Sequence, residues 1–155
     1  MNESGVRAGK SYLFFGRSEG WAQNTSLSQA DVTLLGDGAT SEAAHVCGPG
    51  DVNGDGIADV MVGAGFHDQA GDNAGKAYLI FGRPAAEWPQ QINLADADAS
   101  YLGELSGDWA GHRVAGAGDV NGDAHSELPA VLIICVRVSP SARNLSGSTC
   151  TCNCR

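Results

Sequence analysis

The sequence lacks the features that mark helical and membrane-spanning proteins. No stretch of a dozen residues keeps its apolar side chains at the helical period of about 3.6, and no run approaches the roughly 20 apolar residues of a transmembrane helix. The apolar run Val131–Val138 is too short and is interrupted by Arg137. We therefore predict no direct membrane insertion. Cysteine is scarce as well, because Cys47 stands alone before residue 124, and no disulfide framework supports this part of the chain.

Basic residues and catalytic constellations are also missing. The chain has 9 Lys and Arg against 18 Asp and Glu, a formal charge of −9, whereas nucleic acids are bound by basic patches. We therefore predict no nucleic-acid partner. No nucleophile, base and orienting group stand together, and the adjacent residues His67 and Asp68 are not expected to face each other, so we predict no catalytic residue and no enzymatic activity.

Glycine and internal repeats are what the sequence has in abundance. Glycine supplies 22 of 155 residues, about double the usual share of roughly 7%. Ala8–Arg17 recurs as Ala74–Arg83 at an offset of 66, with eight of ten residues identical. Trp21 returns as Trp88 at an offset of 67, which favours packing within or between repeats over carbohydrate stacking. The agreement of these offsets defines one repeat period.

Short apolar runs bounded by glycine predict four strands within one period. They are expected near Ala43–Cys47, Ala58–Ala64, Lys76–Phe81 and Ser100–Leu102. Four short strands in each repeat, joined by glycine-rich turns, are typical of a β-propeller blade. The sequence therefore predicts an all-β protein.

The segment Asp51–Asp59 has the spacing of a calcium-binding loop. A calcium ion takes six to eight oxygen ligands at about 2.3–2.6 Å, and this loop places oxygen-bearing side chains at its first, third, fifth and ninth positions. The predicted ligands are the side chains of Asp51, Asn53, Asp55 and Asp59 and the main-chain carbonyl of Ile57. An EF-hand is not indicated, because Val62 stands where its twelfth-position glutamate is required. The alternative is a solvated turn, since Asp, Asn and Gly are turn residues in any case.

The repeated residues resemble the FG-GAP repeats of the integrin α-subunit N-terminal β-propeller and of its bacterial relatives. The resemblance covers about residues 8–123. Phe15-Gly16 and Phe81-Gly82 fit the Phe-Gly element, and Gly63-Ala64-Gly65 fits the Gly-Ala-Pro element with Gly65 in place of proline. The resemblance implies a partial β-propeller built from four-stranded antiparallel blades, with Ca²⁺ held by the loop between the first two strands of a blade.

A second loop fits the calcium pattern less well. Gly118–Asp123 repeats Gly50–Asp55 without a change at an offset of 68, but Ala124 then replaces a glycine. Its ligands, as the resemblance implies them, are Asp119, Asn121, Asp123 and Glu127, with glutamate in place of the closing aspartate. We expect this site to bind calcium more weakly.

The repeat divides the chain into four parts. Residues 1–40 are predicted to form an incomplete first blade, 41–104 a complete blade, and 105–127 the start of the next blade with the second calcium loop. Residues 128–155 form an atypical tail rich in cysteine, serine and arginine, and our hypothesis is that it is an out-of-frame or alternatively encoded end. Its alternative is a soft-metal or redox cluster of Cys150, Cys152 and Cys154, although the Cys-x-Cys-x-Cys spacing lacks the second pair of a zinc site.

Two functions from different classes agree with these features. The first is a calcium-binding FG-GAP module, as a fragment, of an integrin-α-like extracellular adhesion or binding protein whose completed propeller engages a protein or carbohydrate ligand. The second is a set of non-catalytic propeller repeats attached to a secreted hydrolase, such as a glycosylphosphatidylinositol phospholipase D-like enzyme. Either predicts an extracellular or cell-surface parent protein, and residues 1–9 hold no signal-peptide pattern.

Overall fold

The computed structural model describes residues 7–38, 41–118 and 131–135, and this part of the chain is all-β. The strands are β1 (Lys10–Leu13), β2 (Val32–Leu35), β3 (His45–Gly50), β4 (Asp59–Ala64), β5 (Lys76–Ile80), β6 (Gln91–Asn93), β7 (Ala99–Leu102), β8 (Arg113–Gly118) and β9 (Val131–Cys135). Single 3₁₀ turns lie at Leu27–Gln29, Ala85–Glu87 and Leu94–Asp96. Across the described ranges no helix is long and apolar enough to cross a membrane.

Strands β3, β4, β5 and β7 form the predicted four-stranded antiparallel blade. The predicted strands lie close to the observed ones, but β3 runs on to Gly50 instead of ending at Cys47. Its pairing with β4 shifts between Cys47 and Gly50, where Pro49 has no N–H to give to the ladder. The Asp-rich loop therefore starts at the end of a bulged strand.

The two central strands of the complete blade, β4 and β5, are buried on both faces, to which successive side chains point in alternation. On one face, Tyr78 and Ile80 pack in a core cluster with Val32 and Leu34 of β2. On the other face, the buried residues Met61, Ala77 and Val114 pack together, and Val114 belongs to β8. The blade is thus a middle layer between the unit that precedes it in sequence and the one that follows.

The repeat seen in sequence is also a repeat of contacts between units. Two backbone amides before β3 donate to the segment before β1, and two before β8 donate to the segment before β5. These bonds are Glu42 N to Arg7 O, Ala43 N to Ala8 O, Trp109 N to Asn73 O and Ala110 N to Ala74 O. The same non-glycine positions have positive φ, 43° at Glu42 and 56° at Trp109. The repeat period of the sequence is therefore also a structural period.

Strand β6 was not predicted from the sequence. It belongs by order to the complete blade, yet it pairs in parallel with β2 of the preceding unit, through Thr33–Gln91, Leu34–Ile92 and Leu35–Asn93. Its three residues are too few to give a strand signal of their own, so the segment is a strand through its pairing with the neighbouring edge. The sheet order β1-β2-β6 therefore joins two units.

Strand β9 lies in the part of the sequence predicted as an atypical tail. It pairs antiparallel with β8, and Val131 stands opposite Gly118 as Asp59 stands opposite Gly50. Residues 131–135 thus occupy the ladder position that β4 has in the complete blade. The hypothesis about the origin of the tail stays a prediction.

Candidate metal centre

In the Asp51–Asp59 loop, the backbone wraps around the carboxylate of the first residue, Asp51, and donates hydrogen bonds to it. Asp51 Oδ1 accepts hydrogen bonds from the N–H groups of Gly54 at 2.7 Å and Asp55 at 3.1 Å, and Oδ2 accepts one from Gly56 at 2.6 Å. Gly54 and Gly56 have φ of 77° and 87°, angles that a Cβ would penalise. The backbone N–H of Gly56 is the largest cause that lowers the pKa of Asp51, so this carboxylate stays ionised.

The third and fifth positions lie against each other on the exposed rim of the loop. Asn53 Oδ1 accepts from the Asp55 N–H at 3.0 Å, and Asn53 Nδ2 donates to Asp55 Oδ2 at 2.8 Å. Asp55 Oδ1 accepts from the Ile57 N–H at 2.8 Å. Three predicted ligand side chains, those of Asp51, Asn53 and Asp55, are therefore brought together by hydrogen bonds within the loop.

The ninth position has a different environment. Asp59 is only 2% exposed, and its carboxylate accepts from Val52 N and from Gly82 N, each at 2.7 Å. These bonds tie the loop to the end of β5, through the glycine of the Phe81-Gly82 element. An ionised carboxylate has about four lone-pair sites, so Asp59 keeps acceptor capacity beyond these two bonds.

The donor set suits a hard cation. It consists of carboxylate, amide and carbonyl oxygens without a thiolate or imidazole, which is the chemistry that calcium takes. In the described ranges, however, no three His, Cys, Asp or Glu side chains are already gathered as a metal-binding group. The loop oxygens are instead engaged with backbone amides, so the residue types fit calcium while their oxygens do not yet converge on one point.

Residues 48–80, which include β4, β5 and the Asp-rich loop, match the family model of the FG-GAP repeat. This segment is similar to an FG-GAP repeat. FG-GAP repeats form β-propeller blades and are generally non-catalytic structural modules, in keeping with the four-stranded sheet observed here. No curated protein matches the chain.

The second calcium loop lies outside the described residues, so Asp119, Asn121, Asp123 and Glu127 stay predicted ligands. The strands on either side of it are described. Twelve residues separate the paired positions Gly118 and Val131, against eight between Gly50 and Asp59 in the FG-GAP repeat. Glu127 therefore precedes the paired position by four residues, whereas Asp59 occupies it.

Sequence reasoning missed a buried polar cluster at the contact between the first unit and the FG-GAP blade. Asp37 lies in the segment after β2, and its carboxylate is 3.0 Å from His67 Nε2. The carboxylate accepts hydrogen bonds from Lys76 Nζ at 3.1 Å and from the hydroxyl of Tyr78. The Asp37 side chain is 10% exposed. Gln69 Oε1 also accepts from Lys76 Nζ at 3.0 Å, so the ammonium is held from two sides.

Opposing effects set the ionisation of this cluster. Burial by itself would raise the pKa of the Asp37 carboxyl, but the hydrogen bonds from Tyr78 and Lys76 and the nearby His67 outweigh it and hold that pKa below its usual value. Burial and the neighbouring carboxylate raise the pKa of Tyr78. Asp37 is thus a paired anion that joins two units.

A signal for the cluster was present in the repeat. Lys10 and Lys76 occupy the same place in the repeated decapeptide, in front of an apolar strand, and a lysine that becomes buried there needs an acidic partner. His67 lies with its Nε2 atom 3.0 Å from Asp37, which is 30 residues away in the sequence.

The two repeated tryptophans share one local motif but differ in burial. Trp88 Nε1 donates to the Arg83 carbonyl at 2.8 Å, and the Trp88 ring packs against the core cluster. Trp21 Nε1 donates to the Arg17 carbonyl at 3.0 Å, yet Trp21 is 59% exposed. The prediction of packing is therefore right for Trp88 and wrong for Trp21, because no neighbouring unit covers Trp21 within the described part of the chain.

Proposed function

We propose that this chain is a calcium-binding FG-GAP module of an integrin-α-like extracellular adhesion or binding protein. The observation that carries the proposal is the Asp51–Asp59 loop, a closed turn of oxygen donors between the first two strands of a blade. Asp59 anchors it to the blade through Val52 and Gly82. A site fixed in this way to a rigid sheet is suited to holding an ion and stiffening a blade edge.

The loop residues divide the work of holding the ion. Asn53 and Asp55 supply side-chain oxygens from the exposed rim, Asp51 supplies its partly buried carboxylate, and Ile57 supplies its carbonyl. Asp59 supplies the acceptor capacity that remains beside its hydrogen bonds from Val52 N and Gly82 N. Bound calcium would neutralise the clustered carboxylates, which repel one another without it. With an extracellular-type dissociation constant of about 10⁻⁴–10⁻³ M, calcium at ten times that constant would stabilise the folded state by roughly 1.4 kcal/mol.

The proposed location rests on the weak calcium affinity expected of the loop, and the proposed partners rest on the net charge of the chain. A site of this class is filled only where calcium is abundant, which supports an extracellular or cell-surface parent. The net charge of −9 disfavours an anionic partner. The proposed ligand is a protein or carbohydrate that is engaged by loops at one rim of a completed propeller.

Titration calorimetry with calcium tests the proposal on the full chain. We expect binding heat that is reduced by Asp55→Ala, because this change removes a ligand and the contact to Asn53. The matched control is Asp96→Ala, which removes an exposed carboxylate away from the loop and should leave the heat unchanged. Heat that remains in Asp55→Ala belongs to the second loop. Equal heats for the unaltered chain and Asp55→Ala would contradict the ligand assignment.

A further inference from the structure

The outer edge of β2 shows how one unit covers another. Thr33 N donates to the Gln90 carbonyl at 2.9 Å, and β6 then continues the parallel pairing along β2. Leu94 follows β6 directly, is 1% exposed and packs with Val32 and Leu34 of β2. Residues 90–94 thus form a covering segment that seals both the edge and the apolar face of the preceding unit.

The outer edge of β7 is the counterpart, one repeat later in the sequence, of the outer edge of β2. Strand β7 pairs with β5 as β2 pairs with β1, and the paired positions are shifted by one repeat period. No strand in the described ranges pairs with the other side of β7. Tyr101 is 40% exposed, whereas its counterpart Leu34 is 1% exposed. The edge that β6 covers on β2 is therefore open on β7.

A matching covering segment lies uncovered at the other end of the described fold. Residues 23–27 are the counterpart of 90–94 at an offset of 67. Ser26 caps the 3₁₀ turn after it by accepting from Ser28 N, as Asn93 caps its turn by accepting from Ala95 N. The cap residues have the same extended backbone, with ψ of 140° and 132°. Leu27 is nevertheless 56% exposed where Leu94 is 1% exposed.

We propose that copies of this chain associate head to tail, residues 23–27 of one copy covering the outer edge of β7 of the next. The parallel register of β2 and β6 then pairs Ser100 with Asn24 and Leu102 with Ser26, and Leu27 takes the place that Leu94 has within the chain. The second copy is the occupant because both halves of the interface are present and exposed in one chain. Such a contact joins unlike surfaces, so it extends into longer assemblies unless it closes a ring.

Sedimentation velocity of the full chain under reducing conditions tests this contact. We expect the mass to rise with concentration for the unaltered chain. Ser100→Pro should abolish the rise, because the N–H at this position faces the open edge, as that of Thr33 faces β6, and proline is tolerated there on an edge strand. Ser100→Thr is the matched control, since it keeps the N–H and installs the residue found at position 33. Leu27→Asp should abolish the rise from the other surface.

Mixing the two blocked variants gives the decisive result. Ser100→Pro keeps an intact covering segment and Leu27→Asp keeps an intact β7 edge, so each alone should be monomeric and an equimolar mixture should form two-chain species and nothing larger. Circular dichroism verifies that each variant retains its strands, and if Ser100→Pro unfolds, Leu27→Asp alone decides. A monomeric unaltered chain at all concentrations, association that survives Leu27→Asp, or a mixture of folded variants that stays monomeric would overturn the proposal.

Discussion

The aspartate carboxylates of this protein have different structural roles, which depend on the groups around each of them. Asp51 and Asp55 are loop carboxylates whose oxygens accept backbone N–H groups, so a bound cation would have to share or replace these hydrogen bonds. Asp59 is buried and fastens the loop to the end of β5. Asp37, whose side chain is 10% exposed, pairs with Lys76 and joins two units. The sequence spacing identified the first three, whereas Asp37 could not be assigned because its partners are remote from it in the sequence.

The lysine of the buried cluster gives a prediction with an internal control. Lys76→Met leaves Asp37 buried without its ammonium partner, and breaking such a pair typically costs about 3–5 kcal/mol. We expect a loss near the lower end, because Tyr78 and His67 still contact the carboxylate. The control is Lys10→Met at the equivalent exposed position, which should change the stability by less than about 0.5 kcal/mol. Urea unfolding measures both, and equal losses would contradict the role assigned to the cluster.

At the scale of strands, glycines set how closely neighbouring units approach. A Cβ built on Gly63 of β4 would lie 1.9 Å from the carbonyl oxygen of Gly111, which belongs to the following unit. We expect Gly63→Ala to destabilise the protein by about 1–3 kcal/mol, the usual cost of overpacking. Gly48→Ala in β3 is the control, because nothing lies within 4 Å of its added Cβ. Thermal unfolding that shifts equally for both variants would show that this contact is not tight.

The strands themselves were largely predictable, and the exceptions have physical causes. Glycine punctuation located β4, β5 and β7 because each is a short apolar run between turns. The end of β3 was misplaced because Pro49 and two glycines look like a turn, whereas a bulge lets the strand continue to Gly50. Strand β6 could not be found from local sequence because its partner is β2, which lies in the preceding repeat. The loop and its oxygen-bearing residue types could be read from the sequence, but the burial of Asp59 could not, and the assignment of these residues to calcium stays a prediction.

At the scale of the whole molecule, the described fold is a stack of similar layers with unlike outer surfaces. The central strands β4 and β5 are covered on both faces, while Trp21 and Leu27 stay exposed at one end and Tyr101 and Leu102, in the outer strand β7, at the other. A repeat architecture buries its apolar faces only against further repeats. The exposed ends therefore call for another unit, and the head-to-tail contact supplies it from a second copy.

The most direct test of the central claim, that the Asp51–Asp59 loop is a calcium site, is the amide spectrum of the isotope-labelled chain during calcium titration. The N–H groups of Gly54, Gly56 and Ile57 now bond to loop carboxylates, so they report any change in those carboxylates. We predict that their resonances shift and saturate as calcium passes about 10⁻³ M, while those of β5 stay in place. Unchanged resonances for these three amides at saturating calcium would contradict the account.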